Sequence, residues 1–142
     1  MSDKYVVFVC TGNTCRSPMA AVLAENIFIE NGISLAVYSA GVNAWAGQSA
    51  SVHAIAAMQE IGLDLSCHRS QIVSQELLEG AALVLAMTEQ HLSIIRNACP
   101  NANAFALGVS DPFGGDLQIY RRTGAEIKQK IIDHLEKIRE AF

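Results

Sequence analysis

No stretch of the chain approaches the ~20 consecutive apolar residues of a membrane-crossing helix, so nothing in it reads as a membrane span. The opening MSDKYVVFVC has a charged tip and one short apolar run. It lacks the longer apolar region and small-residue cleavage site of an export signal. There is no excess of positive charge: 10 Lys and Arg face 14 Asp and Glu, for a formal net charge of -4. That balance argues against nucleic acid or an acidic membrane surface as partner and leaves room for a local basic pocket. Charged residues are only 17% and hydrophobic ones 51%, which excludes a disordered chain. There is no internal repeat, low-complexity tract or linker, so one domain over residues 1–142 is expected, in the cytoplasm. A chain this long buries roughly 68–70% of its unfolded surface and needs no covalent staple. Its four cysteines, Cys10, Cys15, Cys67 and Cys99, therefore read as thiols and not as a disulfide framework.

KYVVFVC is a continuous apolar run of strand length, the pattern of a buried strand. Ser17 then offers an N-cap and Pro18 a first helical position, with Ala20, Leu23, Ala24 and Ile27 at helical spacing and Asn31-Gly32 as the stop. SLAVYSAG, ALVLAMT and NAFALG read as three more strands. SASVHAIAAMQEIG, SQELLEGA and EQHLSIIRNA read as helical segments. A last helix carries Ile127, Ile131, Leu135 and Ile138 on one stripe. Two readings stand for its start: a capping box at Thr123-x-x-Glu126, or a longer helix that Gly124 merely weakens. Strands alternating with helices imply an α/β fold with a parallel sheet covered on both faces. Ligands bind such sheets beyond the carboxyl ends of the strands.

One such end carries VCTGNTCRSP. Three chemistries compete for it: a metal knuckle, a disulfide, or an anion cradle with a nucleophile at its base. A zinc site needs a second ligand pair at close spacing, and the adjacent Cys67 and His68 supply a poor one, so no metal is expected. The cradle follows from position. Unpaired N–H groups and the positive dipole end of a helix attract anions. Gly12 and Asn13 tolerate the left-handed backbone that turns successive N–H groups inward. Arg16 adds a planar fork for two phosphate oxygens. Cys10, at the strand end, would lie at the bottom of the bowl formed by Thr11, Gly12, Asn13, Thr14, Cys15, Arg16 and Ser17, its thiolate stabilised by the same donors. The result is a nucleophile beneath a bound phosphoryl group. Asp111 supplies what is missing, a proton for the leaving group, although Asp111-Pro112 also reads as the start of a turn. Gly114 and Gly115 free the loop beyond it.

CTGNTCRSPMA resembles the signature of the low-molecular-weight protein tyrosine phosphatase family, and YSAG, CHRSQ, LVLAMT and DPFGG follow in that family's order over nearly the whole chain. The resemblance implies a flavodoxin-like three-layer fold with a four-stranded parallel sheet and helices on both faces. It implies Cys10 as nucleophile, Arg16 as phosphate clamp and Asp111 as general acid, with no cofactor. It further implies that Asn13 holds the loop's shape, that Ser17 donates to the thiolate, and that Ser39 and His68 support the loop by hydrogen bonds. His53, His91 and His134 fall within expected helices and read as surface or partly buried. Trp45 has two readings, a wall of the mouth or an anchor for its loop. Cys15 also has two, a partner that captures oxidised Cys10 as a disulfide or a small apolar filler.

The resemblance implies a phosphorylated protein as substrate, with its phosphate or another oxyanion held in the loop. Thr14 stands where tyrosine-specific members carry a bulky aliphatic, and Phe113 is followed by Gly114 and not by a second aromatic. The sequence is thus most similar to the protein-arginine phosphatase branch, although NAFALGVSDPFGG is shorter than expected there. Protein-tyrosine phosphatase is the alternative. A thiol-linked arsenate reductase is remote, since Met87 stands where its redox cysteine is needed. A non-catalytic phosphate-binding module would need no Asp111.

Overall fold

The computed structural model describes residues 4–141; the expected domain, 1–142, includes Met1–Asp3 and Phe142, which lie outside the described residues. The elements run β1 (Tyr5–Cys10), α1 (Arg16–Glu30), β2 (Ala36–Gly41), α2 (Val52–Gln59), α3 (Gln75–Gly80), β3 (Leu83–Ala86), α4 (Glu89–Ala98), β4 (Ala104–Ala106), α5 (Leu117–Asp133) and α6 (Leu135–Glu140). The four strands pair in parallel in the order β2-β1-β3-β4. The alternation of elements implied the parallel sheet, and the family resemblance implied the flavodoxin-like, four-stranded form that it takes.

Alternation along each strand divides the sheet into two cores. Val6, Phe8 and Cys10 of β1 join Leu83 and Leu85 of β3 in the larger core, with Met19, Leu23, Ile27, Met58, Ile127 and Ile131. Val7 and Val9 face the other way with Val84 and Ala86, against Leu78 of α3 and Leu92 and Ile95 of α4. The nucleophile candidate thus lies on the face covered by α1, α2 and α5. The described residues contain no helix long and apolar enough to cross a membrane.

Two local expectations need correction, the cap of α1 and the unbroken last helix, and the choice at Thr123 falls to the longer helix that contains Gly124. Ser17 is not the cap of α1: the N-cap is Cys15, with no side-chain capping bond, because the Ser17 hydroxyl is engaged with Cys10 and Asn13. Thr123 is inside α5 and its hydroxyl donates to the Ile119 carbonyl. The helix starts earlier, where the Asp116 carboxylate accepts from the Ile119 N–H at 3.0 Å. At its carboxyl end the expected last helix breaks in two at His134, whose Nδ1–H donates to the Lys130 carbonyl at 2.7 Å and satisfies the last turn of α5.

The strand ends bring distant segments to the loop after β1. The Gly41 N–H donates to the Gln71 carbonyl and the Gly41 carbonyl accepts from Val73, so residues 71–73 run beside the end of β2. Gly41 leaves no room for a side chain: a Cβ there would come within 2.5 Å of the Thr11 carbonyl and 2.9 Å of the Asn13 nitrogen. Backbone atoms cannot yield as a flexible side-chain tip can, so Gly41→Ala should cost about 1–3 kcal/mol and reduce turnover together. Urea denaturation and aryl phosphate hydrolysis measure the two. Parental values for both would mean that the loop is not packed against Gly41 as described.

Candidate active site

The loop from Cys10 to Ser17 is held from outside by its carbonyls. Thr11 O accepts from Asn43 N, Thr14 O from Ser51 N, each at 2.9 Å, and Asn13 O from His68 Nε2–H at 2.7 Å. In a planar trans peptide the N–H points opposite to the carbonyl. The N–H groups of Gly12, Thr14 and Cys15 therefore turn toward the concave side, which makes the loop a nest for an anion.

Asn13 is the hub. It is fully buried and is the only non-glycine residue among those described with positive φ, 57°. Its Nδ2 donates to Ser17 Oγ at 2.8 Å and Ser39 Oγ at 2.9 Å. Its Oδ1 accepts from the Gln71 N–H at 2.9 Å, and its own N–H points at Cys10 Sγ, 3.3 Å away. Gly12, expected to share the left-handed region, has ordinary φ. The turn is carried by Asn13, whose side chain tolerates that conformation and bonds locally.

Cys10 is buried at the base. Ser17 Oγ lies 2.9 Å from Cys10 Sγ; it accepts from the Asn13 amide, and its one proton has two acceptors within reach, the sulfur and, at 3.4 Å, the Ala40 carbonyl. Arg16 is buried at the start of α1. Its Nη1 donates to the Val109 carbonyl at 3.0 Å, and its Nη2 lies 3.7 Å from Asp111 Oδ2. The clamp candidate and the acid candidate thus meet although 95 positions separate them. Asp111 is half exposed at the rim, and its Oδ1 accepts from the Phe113 N–H at 2.9 Å. Gly114 takes φ +81° and Gly115 N–H bonds Pro112 O at 2.8 Å. These glycines therefore make a defined turn and do not free the loop.

Ser39 and His68 both reach Asn13. Trp45 is 77% exposed, which excludes the core-anchor reading. Its loop is tied down by its backbone instead, the Trp45 carbonyl accepting from the Ser70 hydroxyl. Phe113 is 83% exposed. Thr14 is partly buried, its hydroxyl 3.8 Å from Cys15 Sγ. Cys15 is buried with its sulfur 3.3 Å from the Tyr120 hydroxyl. Burial and that contact push the Tyr120 phenol up to about 12. All four cysteines are free thiols, and among the described residues no cluster of three or more His, Cys, Asp or Glu could hold a metal.

Three contributors escaped the sequence. Gln71 bonds Asn13 through its backbone and the Ser39 carbonyl through its side chain, at 2.9 Å each. Tyr120 lies behind Cys15. His91, expected at the surface or partly buried, is 5% exposed and its Nε2 is 2.8 Å from Thr11 Oγ1. All arrive from elements far along the chain, where no local pattern marks them. His53 is exposed and His134 partly buried.

A family model described as Low molecular weight phosphotyrosine protein phosphatase matches residues 5–141. The chain belongs to that family. The phosphatase is 42% identical over 135 residues to a protein-arginine-phosphatase of Bacillus subtilis strain 168, covering 87% of this chain and 89% of that protein. It is 33% identical over 146 residues to a low molecular weight protein-tyrosine-phosphatase of Acinetobacter johnsonii, covering 97% of this chain and all of that protein. Among solved structures, an arginine phosphatase variant with a phosphorylated active-site serine superposes with a TM-score of 0.88 at 38% identity, over 96% of this chain and 99% of that one. The chain is a cysteine-dependent protein phosphatase with the flavodoxin-like fold of these relatives.

Two site histidines titrate abnormally. Burial holds the His68 ring below the usual histidine range, opposed by its bond to the Asn13 carbonyl. Burial, then the Arg16 charge, holds His91 low, and Asp111 opposes them. Both folded values lie below the unfolded one, so the unfolded chain takes up protons first as pH falls. Stability should be steady above pH ~6.5 and decline below it. His68→Gln should flatten part of that decline in thermal melts between pH 5 and 8. Equal acid slopes for parent and variant would contradict the assignment.

Proposed function

We propose that the phosphatase hydrolyses phosphoarginine on proteins, with Cys10 as nucleophile, Arg16 as clamp and Asp111 as general acid. The single domain, residues 1–142, carries the whole reaction. The Cys10 sulfur attacks phosphorus, the S–P bond forms and the P–N bond breaks. The Asp111 carboxyl gives its proton to the departing nitrogen. Water then attacks the phosphocysteine, Asp111 takes a proton from it, and the sulfur leaves as a thiolate stabilised by the Ser17 hydroxyl and the Asn13 N–H. Arg16 and the inward N–H groups hold the phosphoryl oxygens throughout. The chemistry calls for no cofactor, and a thiol that must stay reduced suits the cytoplasm. Trp45 and Phe113 are assigned to the mouth, where the substrate protein docks.

The observation that carries arginine over tyrosine is the rim: a small hydroxyl side chain, Thr14, in the loop, with one exposed aromatic, Phe113, beside the Asp111 carboxylate. A guanidinium is planar, polar and cationic. It pairs with a carboxylate and stacks on one ring, whereas a phenol calls for apolar walls. The relative at 42% identity bears the arginine name and the one at 33% the tyrosine name. Phosphotyrosine remains the second reading, favoured by the short segment from Asn103 to Gly115. Arsenate reduction would need a cysteine at the end of β3, where buried Met87 sits.

Thr14→Ile adds bulk and removes a hydroxyl. It should shift the ratio of kcat/KM for phosphoarginine over phosphotyrosine by about 10–200-fold toward tyrosine, measured on one peptide carrying either group. A ratio that moves less than about threefold, below that range, would put the tyrosine reading ahead.

A further inference from the structure

The loop is held by more than the Asn13 network. Thr11, the residue after the nucleophile candidate, is exposed, yet its hydroxyl lies 2.8 Å from Nε2 of buried His91. The other ring nitrogen, Nδ1, lies 3.0 Å from Oγ1 of Thr88. That same Thr88 oxygen accepts the His91 backbone N–H at 3.2 Å and caps α4. Both nitrogens of one ring are thus committed, one to the rigid end of a helix and one to the catalytic loop. Nothing in the family signature asks for this, because His91 comes from the far side of β3.

We propose that His91 is a positioning residue for the phosphatase reaction, a polar strut that ties Thr11 to the capped N-terminus of α4 and so fixes the first peptide beyond Cys10. Thr88 Oγ1 takes the backbone N–H and gives its own proton to Nδ1. The neutral ring then carries its proton on Nε2 and donates it to Thr11 Oγ1. The Thr11 hydroxyl proton is left free for an anion in the bowl. The charged groups that face the ring are Arg16 from α1 and Asp111 from the loop before α5. Glu89 precedes it on its own helix. An imidazolium would set a second cation against Arg16 and abolish the acceptor at Nδ1, so the strut is complete only while the ring is neutral.

The inference rests on Cys10 being the nucleophile, and the experiment separates the two. Aryl phosphate hydrolysis and inhibition by inorganic phosphate are measured from pH 5 to 8 for the parent, Thr11→Val, His91→Leu, His91→Gln, the Thr11→Val/His91→Leu double variant, and Cys10→Ser. Thr11→Val and His91→Leu should each lower kcat/KM about 5–30-fold, the worth of one buried hydrogen bond, and the double variant should be no worse than either single. His91→Gln, whose amide N–H reaches toward the Nε2 position, should recover part of the loss and remove the acid-side decline that His91 protonation gives the parent. A Thr11→Val variant within twofold of the parent would overturn the strut even if the histidine variants fail to fold. So would a double variant whose loss is the product of the singles, or equal losses for Leu and Gln. Turnover in Cys10→Ser would instead overturn the nucleophile reading, and the strut would still be read from weakened phosphate inhibition in Thr11→Val.

Discussion

One buried amide governs the site. Asn13 takes a left-handed turn that an L-residue adopts only at a cost, and the structure offsets that cost by satisfying its side chain in three directions, through Ser17, Ser39 and the Gln71 backbone. The left-handed turn lets the chain reverse between the end of β1 and the start of α1. The reversal points the Asn13 N–H at the Cys10 sulfur and sends the Asn13 carbonyl outward to His68. The amide also donates to Ser17 Oγ and so fixes that oxygen 2.9 Å from the Cys10 sulfur, nearer than the Ala40 carbonyl at 3.4 Å. A single side chain thus couples the shape of the backbone to the placement of the Cys10 sulfur and of the donors around it.

The sheet explains why the pieces meet. β1 and β3 are the central strands, so their carboxyl ends lie together, and the loops after them converge on one mouth. The bowl follows β1, Thr88 and His91 follow β3, and Arg16 is met by Val109 and Asp111 beyond β4. The Gly41 end of β2 lies against Thr11 and Asn13 without a side chain. The loop is thereby held between the backbone at the end of β2 and the larger apolar core, to which its Cys10 and Cys15 belong.

The parallel sheet and its helices were legible because buried strands and amphipathic helices carry their periods in the sequence, as in Tyr5–Cys10 and Ile127, Ile131 and Ile138. The loop from Cys10 to Ser17 was legible as a strand-to-helix turn because strand, C-x5-R and helix occur within one short segment. Asp111 was read from the Asp-Pro context together with that loop. What escaped was tertiary. Ser17 looked like a cap because Ser before Pro usually is one, and the competing partner, Cys10, is seen only once the loop folds back. Gln71 acts on Asn13 mostly through its backbone, which has no residue signature. His91 reads as one more helical histidine until β3 carries it beside Thr11. The break at His134 depends on one histidine bonding back to the Lys130 carbonyl, which periodicity does not register.

The central claim is that the sulfur at the base of the bowl takes the phosphoryl group. Rapid acid quench of the parent phosphatase during turnover, followed by peptide mass spectrometry, tests it directly. The account predicts a phosphoryl adduct on the peptide carrying Cys10, chased by phosphate release and absent from Cys10→Ser. Phosphate found on Ser17 or Cys15 in the parent, or turnover in Cys10→Ser with no adduct, would contradict it.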